Sequence, residues 1–150
     1  MPQNKLKPVW QNLDDLEALE DKIVEMISRS TSEVCIMTET FHWYTKAKKE
    51  LLTALDRKVA VKVILLKYDG DTEQRVRDMN TYGMQVKLAD SKWRRTRYSI
   101  VDGIEVAFLI WEKKGEGGDE YFKPGYTKRL GLVSVFVDSF EHVWGTAKRI

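Results

Sequence analysis

Thiol chemistry is nearly absent from this chain: Cys35 is its single cysteine, so no internal disulfide can form. Cys35 lies in the apolar run 34–37, which predicts a buried, reduced thiol in a cytoplasmic protein. No apolar run approaches the ~18 residues needed to span a membrane. The opening stretch, MPQNKLKP, lacks the apolar core of a signal peptide. Neither an internal repeat nor a low-complexity segment is present. A formal net charge of +2 is too small to argue by itself for a nucleic-acid partner.

What remains is a soluble globular composition, 43% hydrophobic and 32% charged. A chain of 150 residues is expected to form one domain that buries around 70% of the surface its unfolded state exposes. Residues 1–8 read as a polar lead-in or the remnant of a linker, and 9–150 as a single domain. Asn12 is a candidate N-cap for a helix over 13–29, in which Leu13, Leu16, Leu19, Ile23, Met26 and Ile27 keep helical spacing. The apolar run 33–38 predicts a buried strand, and 46–57 a second helix. Residues 59–66, VAVKVILL, are β-branched and apolar on both faces, as a buried parallel strand requires. Asp71 or Thr72 is expected to cap a third helix ending at Gly83, followed by a short strand over 84–88. Strand-like runs at 98–101 and 104–110 flank Asp102-Gly103, a strong hairpin signal. Residues 115–125 read as a polar loop, 130–137 as a last strand, and Asp138 as the cap of a final helix. This order gives the α/β class, with a mixed β-sheet carrying helices on both faces.

The segment Arg95-Thr-Arg97-Tyr-Ser-Ile-Val-Asp102, with Gly103 behind it, has the spacing His-x-Lys-x-x-x-x-Asp, with arginines at the first two positions. On this spacing the chain resembles phospholipase D-like proteins. The segment running from Leu51 through Arg57 to Leu65 and the closing Phe140-x-x-x-Trp144 resemble them too, although the Gly-Ser that usually follows the motif is absent. Val9-Trp10 and the helix after it are similar to the opening of the effector domain of archaeal TrmB-like transcription regulators. The resemblance covers about residues 9–148. It implies a phospholipase D-like half module and, for enzymes of that family, a histidine nucleophile forming a covalent intermediate. Arginine stays protonated near neutral pH and offers no lone pair. The two histidines, His42 and His142, lie in no equivalent motif. The resemblance therefore implies a non-catalytic branch, with no catalytic residues, no metal and no cofactor.

Several constellations remain as candidates. Arg95 and Arg97, two apart on a strand, would share a face and form a fork for phosphate or carboxylate; as a solvated basic edge strand they would instead discourage sheet-to-sheet association. Asp102 reads as a turn residue. Glu39, Phe41, His42, Trp43 and Tyr44 follow the first buried strand, at the edge where open α/β sheets bind ligands. Those rings line a pocket, make a dimer contact or simply pack. Lys67, Tyr68 and Asp69 should lie near them. Glu112-x-Lys114 with Asp102 imitates a nuclease metal site, but the two carboxylates would be roughly 30 Å apart along one strand at ~3.3 Å per residue. The run 92–97, with Trp93 interleaved, also suits nucleic-acid contact.

These features, together with the resemblance, set the functional expectation. It is a non-catalytic effector-sensing or dimerisation domain of a transcription regulator, taking a small anionic effector. A homodimer is expected to bury the 41–44 cluster and Trp93. DNA contact is expected only through a domain outside this chain, and no membrane contact. The alternatives are a phosphodiesterase or nuclease with atypical catalytic residues, and a plain protein-interaction module.

Overall fold

Side chains along the central strand alternate between two buried faces, and that alternation sets the architecture. In the computed structural model, which describes residues 8–150, Glu33–Thr38 forms a strand (β2) after a two-residue strand (β1, Gln11–Asn12) and a helix (α1, Leu16–Ser28). Val34 and Ile36 point to one face of the sheet, Cys35 and Met37 to the other, as the two-residue period of a strand demands. On the Val34 face lie α1, a second helix (α2, Tyr44–Asp56) and a third (α3, Gly70–Thr81). On the Cys35 face lies one long helix (α4, Leu130–Thr146). The result is three layers with a core on each side of the sheet.

The remaining strands are β3 (Ala60–Leu65), β4 (Gln85–Leu88), β5 (Arg97–Val101), β6 (Glu105–Lys113), β7 (Glu120–Thr127) and β8 (Lys148–Arg149). Their order across the sheet is β1-β7-β6-β5-β2-β3-β4-β8. β2, β3 and β4 are parallel and joined by α2 and α3. β5, β6 and β7 form an antiparallel meander that joins the parallel half at the β2–β5 pair. This is the mixed sheet with helices on both faces that the sequence predicts.

Two predicted elements are different in the structure. Residues 130–137 are not a strand but the first half of α4, and Asp138 sits inside that helix. The apolar, valine-rich run from Leu130 to Val137 imitates a strand, yet Val133, Phe140 and Val143 bury one helical face against β5 and β6. Packing on the uncovered sheet face overrides β propensity here, and Leu130 and Val135 remain 66% and 60% exposed. Residues 115–125 are only partly a loop, because β7 begins at Glu120 and runs through Pro124 and Gly125. Gly125 belongs there because a Cβ would lie 2.6 Å from the Phe108 ring. That ring packs edge-on against Trp10.

The helix starts also move. Asp15, rather than Asn12, caps α1 by accepting from the Ala18 amide at 2.8 Å, and Asn12 belongs to β1. Asp69, rather than Asp71 or Thr72, caps α3 in a reciprocal box with Thr72. Helix α2 starts at Tyr44 instead of 46. Of the expected lead-in at 1–8, residues 1–7 lie outside the described residues; Pro8 is exposed, and the carbonyl of Val9 accepts from the Thr127 hydroxyl.

Asp102 is the turn residue that the sequence predicts, and it does more than turn. Its backbone is left-handed, φ 55°, a conformation that Asp tolerates better than most residues. Its carboxylate accepts from the amides of Thr31, Ser32 and Glu33 at 2.9, 2.7 and 3.0 Å. Burial opposes its ionisation, but these amides outweigh it and hold the carboxyl below its ordinary range. A depressed folded-state pKa contributes stability above the unfolded value that is lost as pH falls through the folded one. Asp102→Asn keeps the turn but loses the charge, and should cost about 1.5–3 kcal/mol at neutral pH. Chemical denaturation should show this cost shrinking towards zero as the pH is lowered below the unfolded carboxyl value. A cost that stays constant with pH would mean that the charge is not what the amides hold.

Candidate functional site

Thr38 and Glu39 end β2, and the loop after them splits the aromatic run. Phe41 takes a left-handed φ of 56° and is fully buried. Its ring meets Trp43 and Tyr44 edge-on at centroid distances of 4.6 and 5.3 Å. Tyr44 is buried as well, and its hydroxyl donates to Asp78 on α3. Burial first, and that bond second, push the Tyr44 phenol above its ordinary value. Phe41 and Tyr44 are therefore core residues, available neither to a ligand nor to a second copy. Trp43 is half-buried, and only the His42 side chain is largely exposed, 3.5 Å from Glu20. Lys67 does lie beside this loop, its amide donating to the Glu39 carbonyl at 3.0 Å, and Asp69 is committed to capping α3.

The two arginines reach the same side of the sheet, but they form no shared fork. Arg97 on β5 donates to Glu39 at 2.9 Å and stacks over Phe122 at 4.4 Å. Arg95, just before the strand, donates to Glu120 at 2.7 Å and stacks over Trp111 at 4.4 Å. Each guanidinium thus has its own carboxylate and its own ring. The hydrogen bond from Arg95, with Trp111 beside it, holds the Glu120 carboxyl below its usual range. Trp93 lies elsewhere, in the short turn Ser91–Trp93, packed against His142 and the α4 core. Asp102 and Glu112 sit toward opposite ends of the β5–β6 hairpin, and Glu112 accepts from Tyr121. Among the described residues, no group of three His, Cys, Asp or Glu side chains is placed to hold a metal ion.

What the structure brings together is a cavity of about 140 Å³ under α1, at the C-terminal end of β2. Leu16, Leu19 and Ile23 of α1 form one wall, with Leu109 and Ala107 of β6 opposite. Thr38, Glu39, Arg97 and Ser99 bring polar groups to it, and His42 and Trp43 stand at its edge. Glu39, His42, Trp43 and Arg97 are thus gathered at one site, whereas Arg95, Phe41, Tyr44 and Trp93 are not. Thr38 and Ser99 escape sequence reasoning because a hydroxyl in a strand looks like any half-buried strand residue. The signal that would find Ser99 is its spacing, two residues from Arg97 on the same strand face.

No family model matches the chain, and none of the curated proteins matches it by sequence. Solved structures do. Nuc from Salmonella typhimurium, a phospholipase D family member, superposes with a TM-score of 0.70 at 14% identity, over 87% of this chain and 89% of its own. NucT from Helicobacter pylori gives 0.67 at 11% identity, over 89% and 92%. The archaeal chromatin protein TrmBL2, described as having a novel mode of DNA binding, gives 0.73 at 18% identity over 99% of this chain. This chain spans 56% of TrmBL2's length. The fold is phospholipase D-like.

The split of the aromatic run has a direct check. Phe41→Ala should cost roughly 3–5 kcal/mol as a core truncation, whereas His42→Ala should stay within about 0.5 kcal/mol. Denaturant melts of the two variants give both numbers, and similar small losses would place Phe41 outside the core.

Proposed function

We propose that the chain is a non-catalytic, effector-sensing domain of a transcription regulator, working in the cytoplasm as a homodimer on a phospholipase D-like fold. One observation carries the reading. The positions that would hold the nucleophilic histidine and its lysine are Arg95 and Arg97, and both are closed by carboxylates, Glu120 and Glu39. A guanidinium cannot attack phosphorus. The cavity beside Arg97 is then a binding site without a reacting group. The likeness to an archaeal chromatin protein over nearly the whole chain supports the regulatory side of the reading. In it, DNA is contacted by a part outside this chain. No described helix is long and apolar enough to cross a membrane.

The pairing surface in this reading is not the 41–44 run, which is mostly buried, but α4. Its Leu130 and Val135 are the most exposed large apolar side chains among the described residues, and an isologous contact through α4 would cover them.

Two measurements test the reading. Purified protein should not turn over bis-(p-nitrophenyl) phosphate, with or without magnesium; turnover that disappears in His42→Ala would overturn the non-catalytic assignment. Light scattering at micromolar concentration should give twice the chain's 17.5 kDa, and the Leu130→Ser/Val135→Ser variant should give the single-chain mass. A wild-type mass that stays at 17.5 kDa across the range would remove the dimer.

A further inference from the structure

Buried polar groups in proteins are nearly always hydrogen-bonded, and those that are not call for an explanation. Among the buried polar side chains here, Ser30, Thr72, Glu105 and Thr127 are hydrogen-bonded within the protein. Thr38 and Ser99, 7% and 1% exposed, are different. Among the described residues their hydroxyls have no protein partner, and both line the cavity under α1. Arg97 lines it too, and its Nε is buried without a hydrogen-bond partner. Three donors thus converge on one small cavity, whereas the other buried nitrogen without a partner among the described residues, Trp111 Nε1, lies outside it. Leaving the buried Arg97 Nε without a partner costs about 1–3 kcal/mol, and a single occupant with acceptor oxygens would meet it together with the two hydroxyls.

We propose that the cavity binds a small monocarboxylate with a short branched apolar body, and this rests on the sensor reading above. Two hydroxyls and a guanidinium edge match the oxygens of a carboxylate. The apolar body would lie against Leu19, Ile23 and Leu109. Size sets a scale: a cavity on the order of 150 Å³ takes a benzene-sized molecule, so about 140 Å³ suits an acid of roughly six to eight non-hydrogen atoms. Glu39 and Glu20 also line the cavity, and their charge disfavours a phosphate dianion, which carries no apolar body to use the α1 wall. The same charge makes a distinctive prediction. Glu39 partly neutralises Arg97 at 2.9 Å, so removing that charge should strengthen binding of an anion.

The test is calorimetric titration of the full chain with isovalerate, isovaleramide and inorganic phosphate. Isovalerate should bind, the isosteric amide about tenfold more weakly or worse, and phosphate not measurably. Glu39→Gln should tighten isovalerate severalfold, while Arg97→Gln and Ser99→Ala should weaken it. Ser99→Ala, a small change on a strand, keeps the test valid should Arg97→Gln fail to fold. Equal binding of amide and acid, weaker binding in Glu39→Gln, or no isovalerate binding by folded protein would each overturn the proposal. Turnover of bis-(p-nitrophenyl) phosphate, followed in the same preparation, is the separate result that would remove the non-catalytic reading.

Discussion

The carboxylate of Asp102 joins the two halves of the sheet. On one side of it is the antiparallel meander β5–β6–β7, on the other the parallel run β2–β3–β4. Among the described residues, the only ladder between these halves is the β2–β5 pair. Asp102 ends that ladder by accepting three consecutive amides from 31–33, while its own amide donates to the Glu33 carbonyl at 2.8 Å. A neutral side chain could turn the chain here, but it would leave those amides at the start of β2 without a charged acceptor. The acid at the end of the motif spacing therefore has a structural task that is independent of catalysis.

From that junction the positions of the other features follow. With β2 fixed between β3 and β5, its C-terminal end opens beside α1, and the cavity forms where the loop at 39–43 leaves the sheet. The ring of Phe41 fills the space under that loop, and this lets Trp43 and His42 stand at the rim. A second polar cluster braces the far side of α1: Glu105, almost fully buried, accepts from Tyr126 at 2.6 Å and pairs with Arg29. A buried carboxylate with both a phenol and a guanidinium is satisfied, so it holds α1 on the sheet instead of straining it. The outer edges end in two-residue strands, β1 and β8, too short to template another sheet.

Much of this was legible in the residues, and what was not has physical reasons. The run 59–66 could only be a buried strand, and Asp102-Gly103 could only be a tight turn between strands. Helix α4 was misread because Leu130 through Val137 are apolar and valine-rich like a strand, and nothing local shows that an entire sheet face needs covering. β7 was missed because Pro124 and Gly125 look like breakers. In the structure the proline carbonyl accepts from the Leu13 amide at 3.0 Å, and the glycine makes room for Phe108. The arginine pair was legible in position but not in state, since its partners Glu39 and Glu120 lie 58 and 25 residues away. The cavity was invisible because Thr38 and Ser99 acquire meaning only when two strands and a helix meet.

Cys35 has a further consequence. It sits on β2, between two neighbouring strands, with its thiol 3.1 Å from Glu33. Burial, and after it that contact, push the thiol well above its ordinary pKa, so almost no thiolate exists in the native state. β2 is among the last places where partial opening would expose a side chain. The sole sulfhydryl therefore works as an internal clock for opening of the sheet beneath α4. Its labelling rate measures how often the α4 face of the sheet opens, since Cys35 lines a shallow pocket beside Phe140 and Trp144.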